Sequence, residues 1–206
     1  DPRFYKTVLY DGSSFMNTTI ETYEGGRNGA PINGATLTGY YLRKNMNETV
    51  SLSPTAPVTK PHHFILFRYA ETLLNYAEAM NELGGPDYEI AGKLPMTART
   101  ALNQVRAAAN MPVVEDNGEE FTKRLRNERR IELAFEDHRL WDICRWMDGD
   151  AVKDIYGIKI TKKGNKYTYT RTKIQTRVWE SKMYLYPIAQ KELYKNPNLT
   201  QNSGWE

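Results

Sequence analysis

The sequence predicts a mainly α fold in which tetratricopeptide-like helix pairs are joined to loop-rich segments and a short β-hairpin. Two observations carry this prediction. Apolar residues recur at helical spacing through most of residues 64–148. Residues 149–206 instead contain β-branched and aromatic runs around a Gly-Asn pair, which is typical of a hairpin. The 206 residues are enough for a hydrophobic core without disulfide or metal support.

The composition excludes several classes of protein. The net charge of +3 is too small, taken alone, to indicate a nucleic-acid partner. The single cysteine, Cys144, excludes an intrachain disulfide framework and a cysteine-rich zinc site. The three histidines show no metal-ligand spacing, so we predict neither a metal nor another cofactor. No run of about 18 apolar residues is present, so no segment is expected to span a bilayer.

The first zone, residues 1–63, is predicted to be rich in loops with short strands. Residues 4–10 have the aromatic and β-branched bias of a strand, and Asp11 and Gly12 form a turn signal after it. Glycines between residues 25 and 34 indicate a long irregular loop. The chain begins Asp-Pro-Arg-Phe, without a methionine or a signal sequence. We therefore expect a processed chain or a piece of a longer one.

The second zone, residues 64–148, is predicted to hold four helices. The first covers residues 65–83, where a Gly-Gly-Pro sequence ends it, and the second covers residues 97–110 with small inward-facing residues. This pair weakly matches a tetratricopeptide unit, and a generic helical hairpin is the alternative. The third and fourth helices are expected over residues 119–136 and 140–147.

The third helix carries charges inside its apolar arc. On a helical wheel, Arg129, Glu132 and Glu136 lie beside Leu125 and Leu133. A lone buried charge costs several kcal/mol, so each of these groups needs a partner. We predict a partly buried network of arginine and glutamate side chains that fixes how the helices stack. Glutamates also interrupt the arginines of this helix at helical spacing, which favours a salt-bridged face over a nucleic-acid surface.

The third zone, residues 149–206, is predicted to contain the hairpin. Its strands are expected over residues 155–160 and 166–170, with the turn at Gly164 and Asn165. Residues 183–187 read as a further extended stretch, and residues 196–202 are rich in turn-forming types.

The aromatic residues are the best candidates for binding. We assign no catalytic residue, because no carboxylate pair, nucleophile or phosphate loop stands out. Exposed aromatic rings stack on the apolar faces of sugar rings, and a neighbouring arginine can bind hydroxyl groups. The alternative for each is ordinary packing or a protein interface. The predicted ligand-binding residues are Tyr23, Arg27, Tyr40, Tyr41 and Trp179.

Three long segments resemble the SusD/RagB family. Residues 67–79 are similar to its "FRYAE-LLNYAEA" helix, and residues 127–143 to "ERRIELAFEGHR-FDL-RW", with Asp137 in place of the usual glycine and Trp141 in place of phenylalanine. Residues 184–205 resemble the terminus "YL-PIP--E---NPNLTQNPGY", where Ala189 and Ser203 replace prolines. The matching segments are ordered along nearly the whole chain.

The resemblance implies a function and a location. Members of this family are cell-surface glycan-binding lipoproteins of Bacteroidetes-type bacteria, which hand oligosaccharides to a TonB-dependent, SusC-like transporter of the outer membrane and take part in polysaccharide utilisation. They are not enzymes, and some bind other nutrients. Full members are much longer and carry a lipid anchor that this chain lacks. We therefore expect the whole of residues 1–206 to be the C-terminal region of such a protein, and membrane contact only through that anchor.

Two classes of function follow for this chain. It is either part of a nutrient-binding protein or a helical-repeat scaffold for protein partners without a sugar site. Clustering of Tyr23, Tyr40, Tyr41 and Trp179 on one exposed face would favour the first class. A glycoside hydrolase would instead need two carboxylates facing a cleft.

Overall fold

The chain forms two compact units. The computed structural model describes residues 1–51, 53–93 and 95–206. The first unit, here called the helical unit, comprises residues 1–20 and 41–139. The second, the hairpin unit, comprises residues 21–40 and 140–206. Each unit is thus assembled from two separate stretches of sequence.

The helical unit is built around three long helices. After the short α1, Phe4–Thr7, the helices are α2, Tyr69–Gly84; α3, Ala98–Ala108; and α4, Gly118–Glu132. Two small antiparallel sheets precede α2. Strand β1, Val8–Leu9, pairs with β4, Tyr41–Leu42, and β2, Ser14–Phe15, pairs with β3, Thr18–Thr19.

The three long helices share one core. Leu74 and Met80 of α2, Leu102 of α3 and Phe121 of α4 are almost completely buried in it. The small residues Ala77, Ala98 and Ala101 have no exposed surface either, because they lie where the helices approach each other. This is the packing that the apolar spacing of the sequence predicts.

Local chemistry sets the ends of these helices. The hydroxyl of Thr97 accepts a hydrogen bond from the backbone N–H of Thr100, which caps the start of α3. Helix α4 ends at Glu132, four residues earlier than predicted. Phe135 and Asp137 have φ angles of +62° and +61°, which are incompatible with a right-handed helix. The glutamate of residue 136 therefore lies beyond the helix.

The strand predicted over residues 4–10 is wrong for its first half. Residues 4–7 form α1, and only Val8 and Leu9 are extended. The carboxylate of Asp1 accepts a hydrogen bond from the backbone N–H of Arg3, and the carbonyl of Asp1 accepts one from Phe4. These bonds form a turn directly before α1, so the local turn and not the β-propensity of the aromatic residues sets the conformation here.

The hairpin unit takes its form from one long antiparallel pair. Strand β5, Asp154–Lys163, pairs with β6, Lys166–Thr176, and Gly164 in the turn has a φ of +59°. Both strands are longer than predicted. Around this pair lie α5, Arg139–Trp146, most of which belongs to this unit; α6, Gln190–Lys195; and 3-10 turns at Gly149–Val152 and Ser181–Tyr184.

The expectation of an extended stretch from residue 183 is wrong at its start. Met183 and Tyr184 belong to a 3-10 turn. The hydroxyl of Tyr184 accepts a hydrogen bond from the backbone N–H of Gly149 and donates one to the carbonyl of Met147, both at 3.0 Å. These two bonds anchor the Tyr184 side chain and outweigh the strand tendency of the sequence.

Residues 21–40 run along the free edge of β5. The backbone N–H of Glu24 donates to the carbonyl of Ile160, and the N–H of Ile158 donates to the carbonyl of Thr38, both at 2.9 Å. A Cβ atom added at Gly157 would lie 2.6 Å from the Cα atom of Thr38. Only glycine at residue 157 allows this approach, which holds the segment against the hairpin.

Candidate functional site

One face of the hairpin is rich in tyrosine. Side chains alternate between the two faces of a strand, so Tyr167 and Tyr169 of β6 lie on the same face. Lys162 is the register partner of Tyr167, and register partners share a face. We call this surface, together with the tyrosine that packs on it from residues 21–40, the tyrosine face. Its members are Tyr23, Tyr156, Lys162, Tyr167, Tyr169 and Arg171.

The rings of the tyrosine face form an open surface. The rings of Tyr167 and Tyr169 are stacked, with centroids 6.5 Å apart and planes at 20°. The ring of Tyr23 packs edge-on against the ring of Tyr167, with their centroids 5.8 Å apart. Tyr169 is 59% exposed and Tyr156 is 43% exposed, so these rings are only partly used for packing. The exposed part of such rings can stack on the apolar face of a ligand.

Two cations lie directly over these rings. The ammonium of Lys162 is 4.6 Å from the ring centroid of Tyr23 and 5.2 Å from that of Tyr167. The guanidinium of Arg171 is 3.8 Å from the ring centroid of Tyr156. All three distances are within the range of cation–π attraction. A hydrogen bond to Tyr167 raises the pKa of Lys162, so the ammonium stays charged at neutral pH.

Arg27 lies in the segment that carries Tyr23. Its Nε atom is 3.1 Å from Oε2 of Glu21, and its side chain is 64% exposed. The hydrogen bond from Arg27 lowers the pKa of Glu21, and the charge of Lys162 acts in the same direction. Two predicted ligand-binding residues, Tyr23 and Arg27, therefore lie in one short segment that is held on the hairpin.

The other predicted binding residues lie elsewhere. Tyr40 ends the 21–40 segment and is about one-third exposed, whereas Tyr41 begins β4 in the helical unit. Trp179 is partly buried, and its ring packs against the ring of Tyr184 with the two centroids 5.4 Å apart. Its indole is so close to Gly149 that an added Cβ would lie 2.0 Å from Nε1. Binding roles for Tyr40, Tyr41 and Trp179 stay predictions.

The helical unit contains a network of ion pairs around two of the predicted glutamates. The carboxylate of Glu132 lies between Nη1 of Arg3, at 2.7 Å, and Nη1 of Arg68, at 2.6 Å. The carboxylate of Glu136 accepts from Nε of Arg68 at 2.8 Å and also pairs with Lys44. The side chain of Glu136 is only 2% exposed.

The network extends to a third glutamate. Glu128 is nearly completely buried, and Arg3 and Arg106 each lie 2.6 Å from one of its oxygens. Arg129 donates from Nη1 to Oδ1 of Asn75, which joins α4 to α2. The partners that the sequence analysis did not identify are Arg3, Lys44, Arg68, Arg106 and Glu128.

The network keeps the carboxylates of Glu132 and Glu136 ionised. Burial by itself raises the pKa of Glu132, but hydrogen bonds and charges from Arg3 and Arg68 outweigh it, and the pKa lies below its ordinary value. Burial by itself also raises the pKa of Glu136, but the hydrogen bonds and charges of Arg68 and Lys44 outweigh it. The pKa of Glu136 therefore also lies below its ordinary value. Because the charges satisfy each other, the network is suited to holding elements of the helical unit together and offers little to a ligand.

The helical unit also contains an open groove of about 590 Å³. Its lining includes Met16, Asn47, Lys60 and His63, and no aromatic ring suited to stacking on sugar. Within residues 1–51, 53–93 and 95–206, no group of three or more His, Cys, Asp or Glu side chains could hold a metal ion. No helix in that described part is long and apolar enough to cross a membrane.

The helical core and the tyrosine-bearing hairpin belong to a known class of protein. The sequence profile of the SusD family matches residues 1–205, so the chain belongs to the SusD family. The SusD-like protein P38 of Formosa agariphila is 34% identical over 114 residues, which are 50% of this chain and 20% of that protein. The SusD-like protein P25 of the same organism is 30% identical over 80% of this chain and 28% of its own length.

Solved structures agree with this membership. A SusD-like protein from Bacteroides fragilis matches 99% of this chain and 39% of its own, with a TM-score of 0.83 and 28% identity. A SusD-like carbohydrate-binding protein from the same species matches 97% of this chain and 41% of its own, with a TM-score of 0.68 and 28% identity. The predicted mainly α, SusD-like fold is confirmed. The chain spans about two-fifths or less of the length of these relatives.

Proposed function

We propose that this chain is part of a nutrient-binding protein that captures oligosaccharide by non-covalent contact on the tyrosine face. The observation that carries the proposal is the open row of Tyr167 and Tyr169 beside the ammonium of Lys162. Stacked rings offer flat apolar surfaces, and the nearby donors can bind hydroxyl groups. Membership of the SusD family and the carbohydrate-binding relative from B. fragilis support this assignment.

The wider setting is also part of the proposal. We infer that the complete protein is attached to the cell surface at the outer membrane by a lipid anchor outside this chain. It would deliver its ligand to a TonB-dependent, SusC-like transporter. The family supports both inferences. Modest affinity on an open surface would suit such delivery, because closing the site against a transporter raises the effective concentration of the ligand. In this role the chain binds ligand and carries out no reaction.

The test is electrophoresis of the chain in native gels that contain single polysaccharides. Retardation by at least one glycan is expected. The double variant Tyr167→Ala/Tyr169→Ala should lose about tenfold in affinity, because each stacked ring contributes roughly 0.5–1.5 kcal/mol. Tyr194→Ala removes an 80% exposed tyrosine from α6 and is the matched control. Unchanged retardation of the double variant, or no retardation at all, would overturn the proposal.

A protein-binding scaffold is the second candidate function, and two observations favour it. Trp179 is partly buried against Tyr184 and Gly149, so the four predicted aromatic residues do not all form one exposed face. Phe64, Leu66 and Phe67, just before α2, are each more than 70% exposed, and Tyr69 at its first turn is 69% exposed. Contiguous apolar surface of this kind marks contact with protein. If this function holds, the chain will bind no glycan. The Phe67→Ser variant will then show less self-association than the unmodified chain in light-scattering measurements.

A further inference from the structure

We propose that the tyrosine face selects acidic glycans, whose sugars carry carboxylate or sulfate groups, over neutral ones. This inference rests on the proposed function and adds the class of ligand. Its basis is a strong local charge. The hairpin, Asp154–Thr176, contains six lysine or arginine side chains and one carboxylate, a net charge of +5, whereas the whole chain carries only +3.

Most of this charge is unmatched. Lys159 pairs with Glu24 at 2.9 Å, and Lys173 lies 3.5 Å from Asp154. In the described part of the chain, no carboxylate forms a direct salt bridge with the four remaining cations, although Glu21 and Lys162 interact at longer range. These are Lys162, Lys163, Lys166 and Arg171. The unmatched cations are therefore either on the tyrosine face or at the turn beside it.

The register places like charges opposite each other at this turn. Lys163 and Lys166 are direct partners in the β5–β6 ladder, and Lys162 is the next residue along β5. Like charges directly opposite destabilise a hairpin, and nothing in the packing of the exposed Lys163 and Lys166 requires lysine. An anionic ligand bound here would remove the repulsion. The arrangement is thus better suited to the bound state than to the free one.

The positions of the rings explain why the anion would be part of a sugar. The ammonium of Lys162 lies over the rings of Tyr23 and Tyr167, so a cation and flat apolar surfaces are within 5.2 Å of each other. A uronic acid or sulfated sugar has an apolar ring face and an anionic substituent on one small unit. It can stack on a tyrosine and form a charge-assisted bond to the lysine at the same time, whereas a neutral sugar offers the lysine only hydroxyl groups, which make weaker bonds.

The experiment compares polymers that differ only in charge. The first pair is polygalacturonate and the same polymer with its carboxyl groups reduced, and the second is dextran sulfate and dextran. Poly-L-glutamate serves as a polyanion without sugar rings or other flat surfaces that could stack on tyrosine. We expect retardation of the chain by at least one acidic polymer, binding at least about tenfold weaker for its neutral counterpart, and a loss of affinity with added salt.

The test variant is Lys162→Gln/Lys163→Gln/Lys166→Gln. The control, Lys60→Gln/Lys93→Gln/Lys191→Gln, removes the same net charge from exposed lysines elsewhere. The test variant should lose at least about tenfold in affinity for the acidic polymer, and the control should change less than about twofold. All six substitutions are at exposed positions, and equal melting temperatures will verify the folds.

The outcomes separate this inference from the proposed function. Equal binding of an acidic polymer and its neutral counterpart, or equal losses in the two triple variants, overturns the acidic preference and leaves glycan binding in place. Binding of poly-L-glutamate as tight as that of the acidic polymers also overturns it, because the surface then recognises charge alone. Absence of binding to every polysaccharide overturns both.

Discussion

Arg68, the residue before α2, places Nη1 2.6 Å from Oε1 of Glu132, the last residue of α4. The same guanidinium reaches Glu136 through Nε at 2.8 Å. One arginine thus joins the start of one core helix to the end of another. The pair is mostly buried, with 28% and 15% of the two side chains exposed, so its loss leaves charges in a poorly solvated place.

Replacing Glu132 by alanine should strongly destabilise the helical unit. The substitution leaves Arg3 and Arg68 without one of their partners, and loss of one member of a buried pair costs roughly 2–4 kcal/mol when the site is partly solvated. Urea unfolding followed by circular dichroism measures this change.

The matched control is Glu192→Ala in α6. Glu192 pairs with Lys195 at 3.0 Å, and both side chains are largely exposed, so the cost should be below about 1 kcal/mol. A melting temperature of the Glu132→Ala variant equal to that of the unmodified chain would contradict a structural role for the network.

Acid should destabilise the protein through the same glutamates. Pairing lowers the pKa of Glu132 and Glu136 in the folded state, whereas the unfolded chain has glutamates near pKa ~4.3. The stabilisation is therefore fully present above about pH 5 and is lost as the pH falls through the folded pKa values. The free energy of unfolding, measured by urea at a series of pH values from 7 to 3, should fall over this range.

A double variant isolates the contribution of these two groups. Glu132→Gln/Glu136→Gln cannot titrate, so its free energy of unfolding should be lower at neutral pH and depend less on pH. If the variant and the unmodified chain lose stability in parallel from pH 7 to 3, other carboxylates cause the acid effect.

The elements that the sequence predicted well are those with strong local patterns. The apolar spacing of residues 65–83 located α2, and Gly164 with Asn165 located the hairpin turn. The boundaries were less accurate because they depend on single interactions. Residues 4–7 form a helix directly after a turn that is closed by the bond from Arg3 to Asp1, and no periodicity reveals such a bond.

The partners of the charged residues could not be read from the sequence. Glu132 was recognised because it interrupts an apolar arc, but Arg3 lies 129 residues away and Arg68 lies 64 residues away. Only the tertiary fold brings them together.

For the candidate binding surface, the sequence does contain a usable signal. The Tyr-Thr-Tyr alternation of residues 167–169 predicts β-structure, and it also places two rings on one face of the strand.

Asp137 should tolerate glycine and resist β-branched residues. Its φ of +61° lies in the left-handed region, which aspartate tolerates better than most residues and glycine adopts without strain. This accounts physically for the glycine that the family resemblance places at this position. Asp137→Gly should leave the free energy of unfolding within about 1 kcal/mol of the unmodified chain, and Asp137→Val should lower it by about 1–2 kcal/mol. Urea unfolding of both variants measures the difference, and equal stability of the two would show that the backbone here is free to change.

Gly157→Ala should weaken glycan binding without touching any proposed ligand contact. The added Cβ would lie 2.6 Å from the Cα atom of Thr38, and a backbone atom cannot move aside without displacing its segment. Overpacking of this kind costs about 1–3 kcal/mol. Displacement would loosen residues 21–40, which hold Tyr23 against Tyr167. Binding should therefore fall together with stability, and native gels and urea unfolding measure the two effects.

The control is Thr168→Ala, at an exposed position of β6. Its affinity for glycan should change by less than about twofold, and its free energy of unfolding by less than about 0.5 kcal/mol. If Gly157→Ala unfolds at a lower urea concentration and still binds as tightly as the unmodified chain, then the position of Tyr23 is not required for binding, and the site is restricted to the strands themselves.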